Sequence, residues 1–440
     1  TPGSPTPGSP TPGSPTPGGT TGGELPSNHI GIARGINPGR VVWSHDPKST
    51  VWSGNRDGSH FWDPDKTDQN RVDAMLTASL QNLTGTGSPA AAWDALFRSF
   101  NKRRGLGDIG YNQSARKIIA VKINQNPTNN QNTDYYAKNG VPNDEYSITA
   151  SPHVILALVK SLVAAGVKES DIIFSDPTGV NRGWGGPRTI GDNIFNYVHQ
   201  GYPGIRFVDG VGKNGRELAT WPSQDNILYA GGKGGDENKG KRIAGHFLDA
   251  GFLINMAIMK HHGDGPTVCF KNHYGSVNGQ RHGPIYGNQG SNYYSNMIEP
   301  MGHEELGEKT LLYIVDALYA SKSPNGVPEK WKKDPFNNSW PASLFVSEDV
   351  VAIDSVAFDF MNYEWGMPAN TDYHLHEAAS IPDANGRKLS GTIYRPTMGN
   401  QKILGSLGVH EHWNNPKERK YSRNLNPVLG KGIELVLIEL

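Results

Sequence analysis

The segment FLINMAIMK (252–260) is a continuous apolar run closed by a lysine, the pattern of a strand buried on both faces of a sheet. Its neighbours alternate between strand and helix signals. KIIAVKIN (117–124), DIIFSD (171–176), IRFVD (205–209), SLFVSED (343–349) and IELVLIEL (433–440) read as further strands. Helical spacing of Val72, Met75, Leu76, Leu80 and Leu83 predicts a helix over 71–83 with Asp68 as its cap. HVILALVKSLVAAG (153–166) predicts a second helix closed by Gly166, roughly 305–320 a third, and 350–361 a fourth. Residues 29–66, dense in Trp, His, Asp and Gly without periodicity, predict an irregular or β-rich N-terminal wrap. The expectation is an α/β fold with a mainly parallel sheet and helices on both faces, built as one large domain over residues 25–440.

Composition narrows the function. Of 440 residues, 42 are Lys or Arg and 42 are Asp or Glu, which argues against a nucleic-acid binder working by bulk charge. The single Cys rules out an internal disulfide framework, a CxxC redox pair, a Cys-based zinc site and a cysteine-ligated iron–sulfur cluster within this chain. No apolar run reaches the roughly 18 residues of a membrane span. Residues 1–18 repeat Thr, Pro, Gly and Ser with a five-residue period, and no side chain there offsets the entropy of ordering. Residues 1–24 are therefore expected to be an extended Pro/Thr spacer. It is similar to linkers that join modules of secreted plant-biomass enzymes. An extracellular bacterial location, further modules N-terminal to the linker and a polysaccharide partner are the corresponding expectations.

Ligands of such sheets bind beyond the carboxyl ends of the strands, so the residues leaving them matter most. These include Asn124, Asp176, Asp209, Lys260, His261, His262, Glu348 and Asp349. Lys260 and Lys271 are candidates to stabilise developing negative charge, with His261, Asp176 and Asp349 as catalytic partners. Asn272 follows Lys271 and joins Asn124 as a substrate-binding candidate. Cys269, between Val268 and Phe270, reads as an inert buried thiol. The Gly-rich pieces 179–186 and 230–241 lack the order of a phosphate loop.

Fifteen His are unevenly placed. Five of them (246, 261, 262, 273 and 282) fall within 37 residues, and four form the H-x-H pairs His374/His376 and His410/His412. In a strand, residues i and i+2 share a face, so each pair is able to place two imidazoles on one ion. His262, His273, His374, His376, His410 and His412 are the expected ligands of a divalent metal, with zinc, copper or iron open. Glu377 and Glu411 beside the pairs are candidate oxygen ligands or bases. Trp43, Trp52, Trp62, Trp184, Tyr293, Tyr294 and Trp413 are aromatic candidates for stacking on sugar rings, with Trp184 and Trp413 taken as the substrate-binding pair; buried packing is their alternative. Glu304, Glu305 and Asp354 join the acids that a glycosidase pair would draw on.

Three segments occur in an order that resembles a known family: VKINQN (121–126) followed by DIIFSDPTG (171–179), INMAIMKHHGDGPTVCFKNHYGSV (254–277), and SEDVVAIDSVAFDFM (347–361). They are similar to the bacterial family catalogued as domain of unknown function 362, over roughly residues 115–365. The resemblance implies an α/β fold and a site formed by Lys122, Asn124, Asp176, Lys260, His261, Lys271, Asn272, Asp349 and Asp354. Many members look like iron–sulfur proteins through an attached Cys-rich segment. This chain, with Cys269 alone, lacks those ligands. GVHEHWNNPKERKYSRNL (408–425) and the linker look like a secreted branch found beside carbohydrate-active modules. The leading expectation is a secreted metal-dependent enzyme that hydrolyses a polysaccharide. A non-catalytic glycan-binding or surface module and a His-ligated copper or iron oxidoreductase are the alternatives.

Overall fold

The computed structural model describes residues 29–125, 145–177, 189–222, 226–227, 241–262, 265–278, 293–397 and 402–440. The linker, Trp184, His282 and both Gly-rich pieces apart from Lys241 lie outside them. Ten strands form one sheet: β1 (Arg40–His45), β2 (Ile119–Lys122), β3 (Ile172–Asp176), β4 (Arg206–Asp209), β5 (Glu217–Leu218), β6 (Phe252–His262), β7 (Gly265–Thr267), β8 (Thr310–Ser321), β9 (Ser343–Ser347) and β10 (Glu434–Glu439). The order across the sheet is β10-β1-β9-β8-β6-β2-β3-β4-β5, with β7 folded back on β6. Within that order β9 alone runs antiparallel to its neighbours.

The apolar run 252–260 is the central β6, buried along all but its last residue, as a strand covered on both faces must be. Alternate side chains feed two cores. Val42, Val121, Ile254, Ile314 and Val346 meet the helices α1 (Gln69–Thr84), α2 (Pro89–Arg103), α3 (Pro152–Ala164) and α4 (Asp192–His199). Val41, Trp43, Ala257, Val315 and Phe345 meet α5 (Val350–Trp365) on the other side. Asp68 caps α1 by accepting from the Asn70 and Arg71 amides, and Gly166 follows α3 at φ +92°.

The helix expected over 305–320 is instead strand β8. TLLYIVDALYAS is apolar at nearly every position and all twelve residues are buried. A run apolar on both faces satisfies helical spacing and strand pairing alike, and pairing with β6 and β9 decides the matter. Trp43, Trp52, Trp62 and Tyr294 are buried packing residues rather than exposed platforms.

Two buried imidazoles give the fold an acid-sensitive element. Burial holds His153 down to about 4; burial, with the Arg206 and Lys122 charges, holds His246 down to about 3. Both values lie below the unfolded value near 6.5, so this contribution is present above pH 6.5 and is lost as pH falls towards 4. Asp349 and Asp354, pushed up by burial to about 6 and about 7, act in the opposite sense over that range. The stability difference between wild type and His246→Leu isolates the imidazole. It should shift against the wild type by on the order of 1 kcal/mol per pH unit below 6.5, read from urea midpoints. A pH-independent difference would refute the assignment.

Candidate metal centre

The short helix α6 (Tyr373–Ala379) begins at Asp372, whose side chain makes no capping hydrogen bond. An Asp in that position ordinarily accepts from the second or third helical amide, as Asp68 and Asp349 do. Asp372 turns to histidines instead. Four residues on, along the same helix face, His376 Nε2 lies 3.2 Å from its Oδ2. His410, in the two-residue strand Val409–His410 that pairs with Ile30–Gly31, brings Nε2 to 3.2 Å from His376 Nε2 and 4.0 Å from Asp372 Oδ2. His412 Nε2 is 3.2 Å from the same carboxylate oxygen. The four donor atoms lie within 4.8 Å of one another. Tetrahedral bonds of about 2.0–2.1 Å to zinc place neighbouring donors about 3.3–3.4 Å apart, so the spacing suits one ion.

Outer partners orient two of the rings. Ser355 Oγ donates its one proton to Val351 O at 2.6 Å, so at 2.8 Å it accepts from His410 Nδ1–H. Asp359 Oδ1 accepts from His412 Nδ1–H at 2.6 Å, while its Oδ2 takes the Trp413 amide and the Tyr421 hydroxyl. Each ring therefore presents Nε2 to the centre, the carboxylate–histidine arrangement that fixes a metal ligand. Burial works against the Asp372 carboxylate, but hydrogen bonds from His376 and His412 hold it well below the usual range. Burial, with the neighbouring His376 and His412, keeps His410 neutral. His412 resists burial and is pushed up to about 10 by Asp359 and Asp372. Its side chain is 43% exposed against 2% for His410, so the cluster opens to solvent at His412.

The two H-x-H pairs thus meet in space, although only one meets as expected. His410 and His412 lie on extended chain and both join. His374 and His376 lie on a helix, where i and i+2 diverge. His374 is directed away, against the Phe270 ring at 5.6 Å between centroids, and burial holds it down to about 3. His262 stands at the end of β6, and His273 Nδ1 contacts Ser276 Oγ at 3.0 Å; neither belongs to the cluster. Asp372, Asp359 and Ser355 escaped the sequence reading. An Asp four residues before a His is the signal that was present, legible only once 373–379 is known to be helical.

A second polar group lies at the carboxyl ends of the parallel strands. Lys122 Nζ pairs with Asp176 Oδ1 at 3.1 Å, both nearly inaccessible, and donates to Ile123 O and Asn272 Oδ1. Lys260 Nζ donates to Asn124 Oδ1 at 2.9 Å, and His261 Nδ1 contacts Lys322 O. The Asn272 amide serves backbone carbonyls of Lys122 and Met256 and the Asn255 side chain, a structural role beside Lys122. Lys271 lies over the Tyr274 ring at 4.8 Å, and its charge acts on His374. Asp349 is not part of this group. Because β9 is antiparallel, Asp349 emerges where the parallel strands begin, capping α5 and accepting from the Arg34 and Val409 amides. Asp354 accepts the Cys269 and Phe270 amides, tying their turn to α5, and Cys269 is buried. Trp413 packs edge-on to Phe360 next to the cluster.

The family model for a domain of unknown function, DUF362, matches residues 137–359, just over half of the chain. That segment holds Asp176, Lys260, Ser355 and Asp359; the four cluster donors follow it. A comparison with curated proteins returned no match. Among the described residues, no helix is long and apolar enough to cross a membrane.

Proposed function

This chain belongs to the DUF362 family, a premise that supplies a fold and leaves the chemistry to the site, and we propose that it is a metal-dependent enzyme acting on a polysaccharide by hydrolysis. The observation that carries the metal is the convergence of Asp372, His376, His410 and His412 at the spacing of one ion, with Asp359 and Ser355 behind two of the rings. Three imidazoles and a carboxylate suit zinc, copper or iron. A bound ion there would activate water or polarise an oxygen. Opening at His412 gives a substrate access. Lys260, held by Asn124, is the group to meet negative charge at the strand ends. The Thr/Pro/Gly/Ser repeat of residues 1–18 supports the substrate class and an extracellular setting.

One observation favours a second reading, a non-catalytic glycan-binding or surface module: four protein donors already fill a tetrahedral shell, as in structural zinc sites. Purified protein, metal-loaded or chelated, incubated with cellulose, xylan and chitin separates the two. The enzyme reading expects new reducing ends from the loaded protein alone. A stoichiometric ion with polysaccharide bound and no product released would overturn it in favour of the module. Oxidised ends formed only with a reductant would replace hydrolysis by copper or iron chemistry.

A further inference from the structure

Where the parallel strands begin, a pocket of about 280 Å³ is lined by Arg34, Gly35, Ser99, Lys102, Arg103 and Glu348. Three of those six residues are cations, and their compensation is incomplete. Arg34 and Arg103 share one carboxylate, Glu308, at 2.7 and 3.6 Å, and the Arg104 charge acts on it as well. Lys102 makes no ion pair among the described residues. Glu348, the acid in the wall, is committed to the Ile36 amide at 2.7 Å, and burial pushes it towards its neutral form.

The cations are also held in place. The Arg34 amide donates to Asp349 Oδ2, and the Arg34 guanidinium donates to Glu308 and Ser406 O. Arg103 donates to Thr310 O at 3.0 Å. Between Arg34 and Ile36, Gly35 adopts φ +107°, and a Cβ there would come within 3.0 Å of the Glu348 side chain. Lys102 and Arg103 stand in the last turn of α2, where cations suit the helix dipole, but its final carbonyls already accept the Arg104, Gly105 and Leu106 amides and leave neither side chain needed as a cap.

We propose that this pocket binds a small tetrahedral oxyanion, phosphate or sulfate, free or as the head of a small ester, between Arg34, Lys102 and Arg103. The held guanidinium charges suit such an ion, and Lys102 adds a mobile point charge. The volume lies just under the about 300–1,000 Å³ of small-molecule sites, which limits the ligand to an anionic head with a short appendage. The lining shares no residue with the metal cluster.

Titration calorimetry at fixed ionic strength, with inorganic phosphate, sulfate and glycerol 3-phosphate against a chloride background, tests the proposal. One saturable site is expected, about tenfold weaker or worse in K102E and lost in the double variant K102E/R103Q. Tighter binding of the ester than of phosphate identifies a small-molecule head; equal binding identifies the free ion. Because Lys102 supports no ion pair among the described residues, K102E should lower the denaturation midpoint only slightly, through the reversed charge at the end of α2, so a loss of binding is not a loss of fold. No saturable heat in the wild type, or undiminished binding in K102E/R103Q, would overturn the assignment.

Discussion

Protein carrying His376→Ala should be recovered nearly free of metal, with affinity for the divalent ion reduced more than about 100-fold. Removing a second-layer partner costs about 10–100-fold, and His376 is itself a donor. Alanine is the best helix former and His376 is partly exposed on α6, so the fold should survive the change. Asp359→Asn should fall within the smaller range: its amide keeps an oxygen for His412 Nδ1–H but turns an N–H towards the Trp413 amide donor. His374 contacts Phe270 rather than the cluster, so its substitution should leave metal affinity unchanged. Elemental mass spectrometry and chelator competition read all three. Wild-type metal content in the His376 variant would dismiss the centre.

The second large effect concerns stability. Asp176→Ala should lower unfolding free energy by about 3–5 kcal/mol, because it takes a buried carboxylate away from the Lys122 ammonium, only 2% accessible. Replacing both, as K122M/D176L, should recover most of the loss, since well-packed apolar pairs often equal buried ion pairs. Denaturant midpoints for the single and double variants give the comparison. A loss of activity at an unchanged midpoint would instead make Asp176 a working acid and not a structural partner.

Parts of this were legible in the residues because local chemistry decides them. Asp68 precedes a helix and caps it; FLINMAIMK has no polar face and lies inside the sheet. Local chemistry fails where pairing decides. Thr310–Ser321 satisfies helix and strand spacing equally, and only its neighbours make it a strand. Strand direction is equally invisible, and the reversal of β9 alone carries Asp349 to the wrong end for the chemistry first attached to it. The histidine pairs were visible as residues but not as a site: 34 residues separate His376 from His410, and the helical course of 373–379 both excludes His374 and admits Asp372.

The reversed strand has a consequence for synthesis. β1 (Arg40–His45) lies between β9 and β10, and its Trp43 donates to Ser343, 300 positions later in the chain. At about 5–20 residues per second, a ribosome takes about 15–60 s to deliver that partner after β1 emerges. Throughout that interval Val41, Val42 and Trp43 have no sheet to enter, so an apolar strand edge waits on the nascent chain. Holding chaperones would therefore find their target at residues 40–45 until Ser343 has emerged.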